Sequence, residues 1–204
     1  GDDFRTYTSH NVDATQRLLE AVKGRPIHRF VYASSSSVYG DNVSIPMRED
    51  ALPQPVSPYG VTKLAAEQLC YLYHANYRVP TTSVRYFTVY GPRQRPDMAF
   101  HRFMRAALAG EAITLFGDGE QTRDFIYVED AVRQTLYFFD HPDISGLYNC
   151  GTGVARSWLD LARALFAAME REPRIRFVDI PESIRERYQY HTQSDLSKLR
   201  SAGY

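Results

Sequence analysis

Tyr59-Gly60-Val61-Thr62-Lys63 sets a phenol and an ammonium four positions apart. On a helix that spacing puts both side chains on one face, one turn apart. Upstream, the apolar run Phe30-Val31-Tyr32-Ala33 leads into Ser34-Ser35-Ser36-Ser37 and on to Val38-Tyr39-Gly40. A hydroxyl cluster at the end of a strand can meet the helical pair from a neighbouring element. Hydroxyl, phenol and ammonium converging on one point suit proton transfer at an alcohol while a cofactor takes the hydride. A free phenol titrates at about 10, too high for a base at neutral pH. A lysine ammonium beside a phenol favours the phenolate. A serine hydroxyl can hold the substrate oxygen at hydrogen-bond distance.

Taken singly, Tyr-x-x-x-Lys is an ordinary solvated helix pair and a serine run an ordinary polar turn. Their combination is more informative: strand, serine cluster, loop and helix follow in order. Lys is also rare here, standing only at positions 23, 63 and 198, while arginine serves elsewhere.

The elements that must position these groups alternate. Residues 5–23 read as an amphipathic helix with Val12, Leu18, Leu19 and Val22 near one stripe. Ile27–Ala33 reads as a strand, and Ser34–Ser57 as a loop broken by Pro46, Pro53 and Pro55. Ser57-Pro58 opens a helix running to about Tyr77. Its apolar residues go nearly all the way round, so it should be covered on two sides, by the sheet and by a partner subunit. Strands follow at Thr81–Phe87, Ala112–Phe116, Phe125–Val128, Leu147–Cys150 and Arg174–Val178. Helices follow at Met98–Leu108, Glu129–Phe139, Ser157–Met169 and Thr192–Ser201. This alternation predicts an α/β fold with a mainly parallel sheet.

Composition narrows the partners. The chain has 204 residues, is 44% hydrophobic and carries no formal net charge. That supports one domain, or a domain and a small lobe, with a real core. It speaks against nucleic acid or a membrane surface as partner. There is no run of apolar residues long enough to span a bilayer and no signal-peptide pattern. Cys70 and Cys150 show no disulfide pattern, which fits a reducing cytoplasm, and read as small buried residues. The six histidines show no metal-ligand spacing, so no metal site is expected.

The serine run, Tyr59-x-x-x-Lys63, Arg85-Tyr86-Phe87-Thr88-Val89-Tyr90-Gly91-Pro92 and Gly119-Glu120-Gln121-Thr122-Arg123-Asp124-Phe125 together resemble the extended short-chain dehydrogenase/reductase superfamily. Within it they are similar to NAD-dependent nucleotide-sugar epimerases and dehydratases. The resemblance implies a Rossmann-like, doubly wound parallel sheet with a small C-terminal substrate-binding lobe. Residues 1–92 would be the second half of the NAD-binding domain. Residues 93–204 would be mainly the nucleotide-sugar lobe, with segments returning to the sheet. The Gly-x-x-Gly-x-x-Gly turn that opens such domains does not occur in this sequence. The expectation is therefore that the first half of the dinucleotide domain is missing, leaving the strand at Ile27 with an exposed apolar edge.

By that resemblance, Tyr59 would be the general base and acid at the sugar hydroxyl. Lys63 would hold the nicotinamide ribose. Ser35, with Ser36 as near alternative, would bind the reacting hydroxyl. Tyr86 and Phe87 would border the nicotinamide, and Arg123 and Arg187 would hold the diphosphate of the nucleotide sugar. Dehydratases of the family carry Asp-Glu where Ser36 and Ser37 stand, so elimination lacks its acid and base. Epimerisation needs only NAD and one tyrosine. Thr88 to Ala99 resembles UDP-glucuronate 4-epimerases, in which Thr88 and Arg95 would grip the sugar carboxylate. Arg187 to Leu196 is instead similar to ADP-glycero-manno-heptose 6-epimerases. The resemblance thus implies a C4 epimerase of UDP-hexoses or UDP-hexuronates, with the heptose 6-epimerase or a non-catalytic relative unable to bind NAD as alternatives. It also implies a homodimer formed through the helices at 5–23 and 58–77.

Overall fold

The computed structural model of the chain describes residues 3–41, 43–182 and 189–204. The N-terminal helix is interrupted. Helix α1 (Phe4–Tyr7) passes into a π turn over Thr8–Asp13 and then into α2 (Ala14–Val22). The side chain of Asp3 caps its start by accepting from the Arg5 N–H. Leu19 is fully buried, but Leu18 is 58% exposed and so stands off the buried stripe.

Strand β1 (Phe30–Ser35) begins and ends later than its apolar residues suggest. Ser34 and Ser35 stay in the ladder because their backbones pair with Arg85 and Tyr86 of β2 (Thr81–Tyr86), and a serine side chain does not interrupt that pairing. A 3-10 turn over Ser36–Val38 follows, started by the Ser35 hydroxyl accepting from the Ser37 N–H. Helix α3 (Pro58–Tyr77) has the Ser57 cap and first-turn proline that the sequence predicts. It ends at Arg78, which adopts the left-handed conformation.

The chain continues through β3 (Thr88–Tyr90), α4 (Ala99–Leu108), β4 (Ile113–Phe116), β5 (Thr122–Tyr127) and α5 (Val128–Asp140). It ends with β6 (Gly146–Cys150), β7 (Ala155–Ser157), α6 (Trp158–Ala168), β8 (Ile175–Val178) and a closing helix over Ser197–Ser201. The three-residue strands β3 and β7 are too short to show a readable alternation. The closing helix is shorter than the expected Thr192–Ser201. The Asp124 carboxylate captures both the N–H (3.0 Å) and the hydroxyl (2.5 Å) of Ser194, so this stretch runs extended instead.

Among the described residues the main sheet has the order β1-β2-β6, all parallel. Adjacent strand residues point to opposite faces. Tyr32 joins the cluster with Leu19, Ala66, Cys70 and Tyr73 beneath α3 and α2. Val31 packs on the other face with Val84, Phe138 and Leu199 beneath α5 and the closing helix. This is the two-faced covering expected of a doubly wound α/β sheet. Helix α3 is covered by the sheet on one side and by the N-terminal helical run on another, while Val61, Tyr71 and Leu72 remain exposed. A second unit holds β3-β5-β7 and the parallel pair β4-β8, with α4 and α6, the latter through Phe166, packed over Ile113 and Leu115.

Candidate functional site

A cleft of about 760 Å³ opens where β1 and β2 end. In open α/β sheets ligands bind beyond the carboxyl ends of the strands. Ser35, Ser36 and Ser37 supply one wall, and Phe87, Thr88 and Val89 another. Tyr7 and Tyr59 stand on a third side, and Arg93, Gln94, Arg95, Met98, Arg123, Gln189 and Thr192 complete the lining. Among the described residues the lining holds three arginines and no carboxylate.

Local packing explains how Tyr59 meets the serines. It lies in the first turn of α3, and the next residue, Gly60, sits against the serine turn. A Cβ at Gly60 would stand 2.6 Å from the carbonyl oxygen of Ser37 and 2.9 Å from Cβ of Pro55. Only a residue without one lets the helix come this close. The Ser35 hydroxyl lies 3.2 Å from that of Ser37, so the turn presents a hydroxyl pair to the cleft that Tyr59 also lines.

Lys63 is one turn further along α3. Its Nζ donates to the Ala33 carbonyl at 2.9 Å and lies 5.7 Å from the ring centroid of Tyr59. Burial pushes its pKa below the usual lysine value. Lys63 itself is not among the residues lining the cleft; an ammonium has three donors, so two remain beyond the bond to Ala33.

The other expected residues divide. Phe87 is buried and lines the cleft. Tyr86 does not line it: its hydroxyl lies 2.5 Å from Thr135 Oγ1 of α5, and its ring packs on the core cluster. Tyr86 and Phe87 are consecutive, and their opposite orientation follows from strand alternation. Thr88 lines the cleft. Arg95 does too, with its guanidinium 3.4 Å from Asp97 and largely exposed. Arg123 donates to the Thr122 carbonyl (2.8 Å), and its guanidinium lies 5.5 Å from the ring centroid of Trp158. Arg187 lies outside the described residues.

Tyr7 lines the cleft without having been singled out in the sequence, and Arg93, Gln94, Gln189 and Thr192, which stand in the two runs compared above, line it without having been given a role. Tyr7 is one of 15 tyrosines and Arg93 one of many arginines, and no local pattern separates them. Asp124 stands in the motif quoted above but was given no role there. It is fully buried and accepts from Thr152, Gly153 and Ser194, which holds the return segment carrying Thr192 against β5.

Comparison with known proteins adds to this geometry. The NAD dependent epimerase/dehydratase family matches residues 2–151. The chain is 42% identical over 180 residues to the "Uncharacterized UDP-glucose epimerase YtcB" of Bacillus subtilis (strain 168), covering 88% of this chain and 57% of that protein. It is 38% identical over 211 residues to the ADP-L-glycero-D-manno-heptose-6-epimerase of Alkalilimnicola ehrlichii, covering 98% of this chain and 65% of that protein. The fold superimposes on the crystal structure of UDP-glucuronic acid 4-epimerase from Bacillus cereus, in complex with UDP-glucuronic acid and NAD, with a TM-score of 0.87 and 42% identity. That superposition covers 98% of this chain and 63% of the solved one. The chain thus spans less than two thirds of the length of each of these relatives.

Proposed function

The chain belongs to the NAD dependent epimerase/dehydratase family, and from that premise we propose that it acts as an NAD-dependent nucleotide-sugar epimerase. The reaction is inversion at C4 of a UDP-hexose or UDP-hexuronate through a transient 4-keto sugar. One observation carries the reading: Ser35 and Tyr59 line one cleft, Lys63 stands a helical turn behind with its Nζ 5.7 Å from the Tyr59 ring centroid, and among the described residues the charged lining is wholly arginine. A phenol, a hydroxyl and an ammonium serve the reacting alcohol, and arginines suit an anionic donor group.

NAD, when bound, supplies the hydride acceptor and then the hydride donor. The donor set fits it: Lys63 has two N–H groups left for ribose hydroxyls, and Phe87 offers an apolar wall to the nicotinamide. Tyr59 takes the proton from the sugar hydroxyl and returns it after the keto sugar has turned over. Ser35 or Ser36 holds that hydroxyl. Arg123 and Arg187 grip the diphosphate, and Thr88 with Arg95 grips a uronate carboxylate. Residues 1–92 serve the dinucleotide side and 93–204 mainly the sugar side. The working form is a cytoplasmic homodimer, with α2 and α3 facing the partner.

Two measurements test this. Acid release should yield about one nicotinamide per chain. UDP-glucuronate, followed by proton NMR, should convert to its C4 epimer, and Tyr59→Phe should slow that conversion at least about a hundredfold without loss of helical circular dichroism. Turnover by Tyr59→Phe at the parent rate would remove the assignment of the base. A second reading, ADP-heptose 6-epimerisation, draws on Gln189 and Thr192, which belong to the run similar to those enzymes and line the cleft. An ADP-heptose run in parallel separates the two.

A further inference from the structure

Tyr59 lies at the end of a helix, where a long side chain has few fixed neighbours. Lys63 is on one flank, with Nζ 5.7 Å from the ring centroid. Tyr7, at the last position of α1, is another neighbour. The two rings meet edge to face, with centroids 6.0 Å apart and planes at 64°. This is the arrangement that the ring quadrupoles favour. Both rings line the cleft.

The same two segments are joined again one turn further on. Asn11 Nδ2 donates to the Thr62 hydroxyl at 2.9 Å, and that hydroxyl lies 3.0 Å from the Tyr59 carbonyl. Asn11 sits inside the π turn over Thr8–Asp13. Such turns are rare and gather at functional sites. The pairs Tyr7–Tyr59 and Asn11–Thr62 therefore form a two-point seam between the N-terminal helical run and the first turn of α3.

We propose that Tyr7 is a positioning residue for Tyr59, its ring edge fixing the rotamer from which the phenol reaches the sugar hydroxyl beside Ser35. The inference rests on the epimerase reading above and deepens it. The ring, and not the hydroxyl of Tyr7, performs the task. A displaced phenol would hold the substrate normally and transfer its proton poorly, because small misplacements of a reacting group are costly in rate.

The test uses Tyr7→Ala and Tyr7→Phe in the NAD-loaded enzyme, with three readouts: kcat, the Kd for UDP by calorimetry, and NMR of ring-¹³C-labelled tyrosine. The Tyr59 signal is identified by its loss in Tyr59→Phe. Tyr7→Ala should shift and broaden that signal while the other tyrosine signals keep their positions. It should lower kcat about tenfold while the UDP Kd stays within about twofold. Tyr7→Phe should retain both signal and rate. An unmoved Tyr59 signal in Tyr7→Ala overturns the proposal. So does an equal rate loss in Tyr7→Phe, which would give the hydroxyl a chemical role, or a change spread over all tyrosines with weaker UDP binding, which would mark a structural role only. If the parent protein epimerises no nucleotide sugar, the functional reading fails, and the NMR arm still decides whether Tyr7 fixes Tyr59.

Discussion

Arg85 and Glu67 form a two-pronged ion pair in the interior, Nε to Oε1 at 2.9 Å and Nη2 to Oε2 at 2.8 Å, with side chains only 2% and 4% exposed. The Ser34 hydroxyl adds a bond to Oε1, and the Arg85 guanidinium lies 4.5 Å from the Tyr39 ring centroid. Glu67 is one turn beyond Lys63 and two beyond Tyr59 on α3. The pair thus bolts the helix that carries both groups onto β2, the strand that leads to Phe87 and Thr88.

Removing one partner should be costly because the other charge stays buried. Glu67→Gln should destabilise the protein by about 3–5 kcal/mol, read from urea unfolding. Glu67→Leu combined with Arg85→Met should recover most of that loss, since an apolar pair leaves no stranded charge. A double variant no better than Glu67→Gln would assign the pair a larger net contribution than burial physics predicts.

The two cysteines are free and buried. Burial pushes the Cys70 thiol from its ordinary 9.0 up to about 12, and the Cys150 thiol upward as well. Neither should react with a thiol-specific disulfide reagent at pH 8 until the protein is unfolded. The linkage has a definite sign. A thiol whose pKa is raised by folding adds stability that is complete below pH 9.0 and is lost as pH climbs toward about 12. Urea midpoints should therefore fall between pH 8 and pH 10.5, and less steeply in Cys70→Ala. Parallel slopes in the two proteins would remove Cys70 as a source of the loss.

Arg95 lines the cleft yet is largely exposed, paired with Asp97 at 3.4 Å. If it holds a uronate carboxylate, Arg95→Ala should raise KM for UDP-glucuronate at least about tenfold while changing KM for UDP-glucose little. The contact forms on binding, so the fold and the melting temperature should be unaffected. Equal effects on both substrates would place the arginine at the nucleotide or at the surface instead.

Much of this protein is written locally in its chain. Helix α3 is marked at its start by a serine cap and a first-turn proline, and its chemistry sits at a four-residue spacing that needs no tertiary information. The order of strands and helices gave the α/β class and parallel sheet for the same reason, since periodicity and turn residues act over a few positions. Boundaries were less legible. Ser34 and Ser35 belong to β1 only because β2 lies alongside, and the return segment 192–194 is held by distant partners: Thr122 takes the Thr192 N–H, and Asp124, seventy positions away from Ser194, takes both donors of that serine.

The sequence by itself determined which groups could do chemistry: the serine run, Tyr59, Lys63 and the arginines carry their reactivity in their types and spacing. Only the tertiary structure decided which of them share a cleft. It turned Tyr86 into the core and Phe87 into the site, and it brought Tyr7 against Tyr59, 52 positions further along the chain. The physical reason is that spacing fixes neighbours along a helix or strand, whereas contacts between elements arise from burying apolar faces and satisfying buried polar groups, which no local pattern specifies.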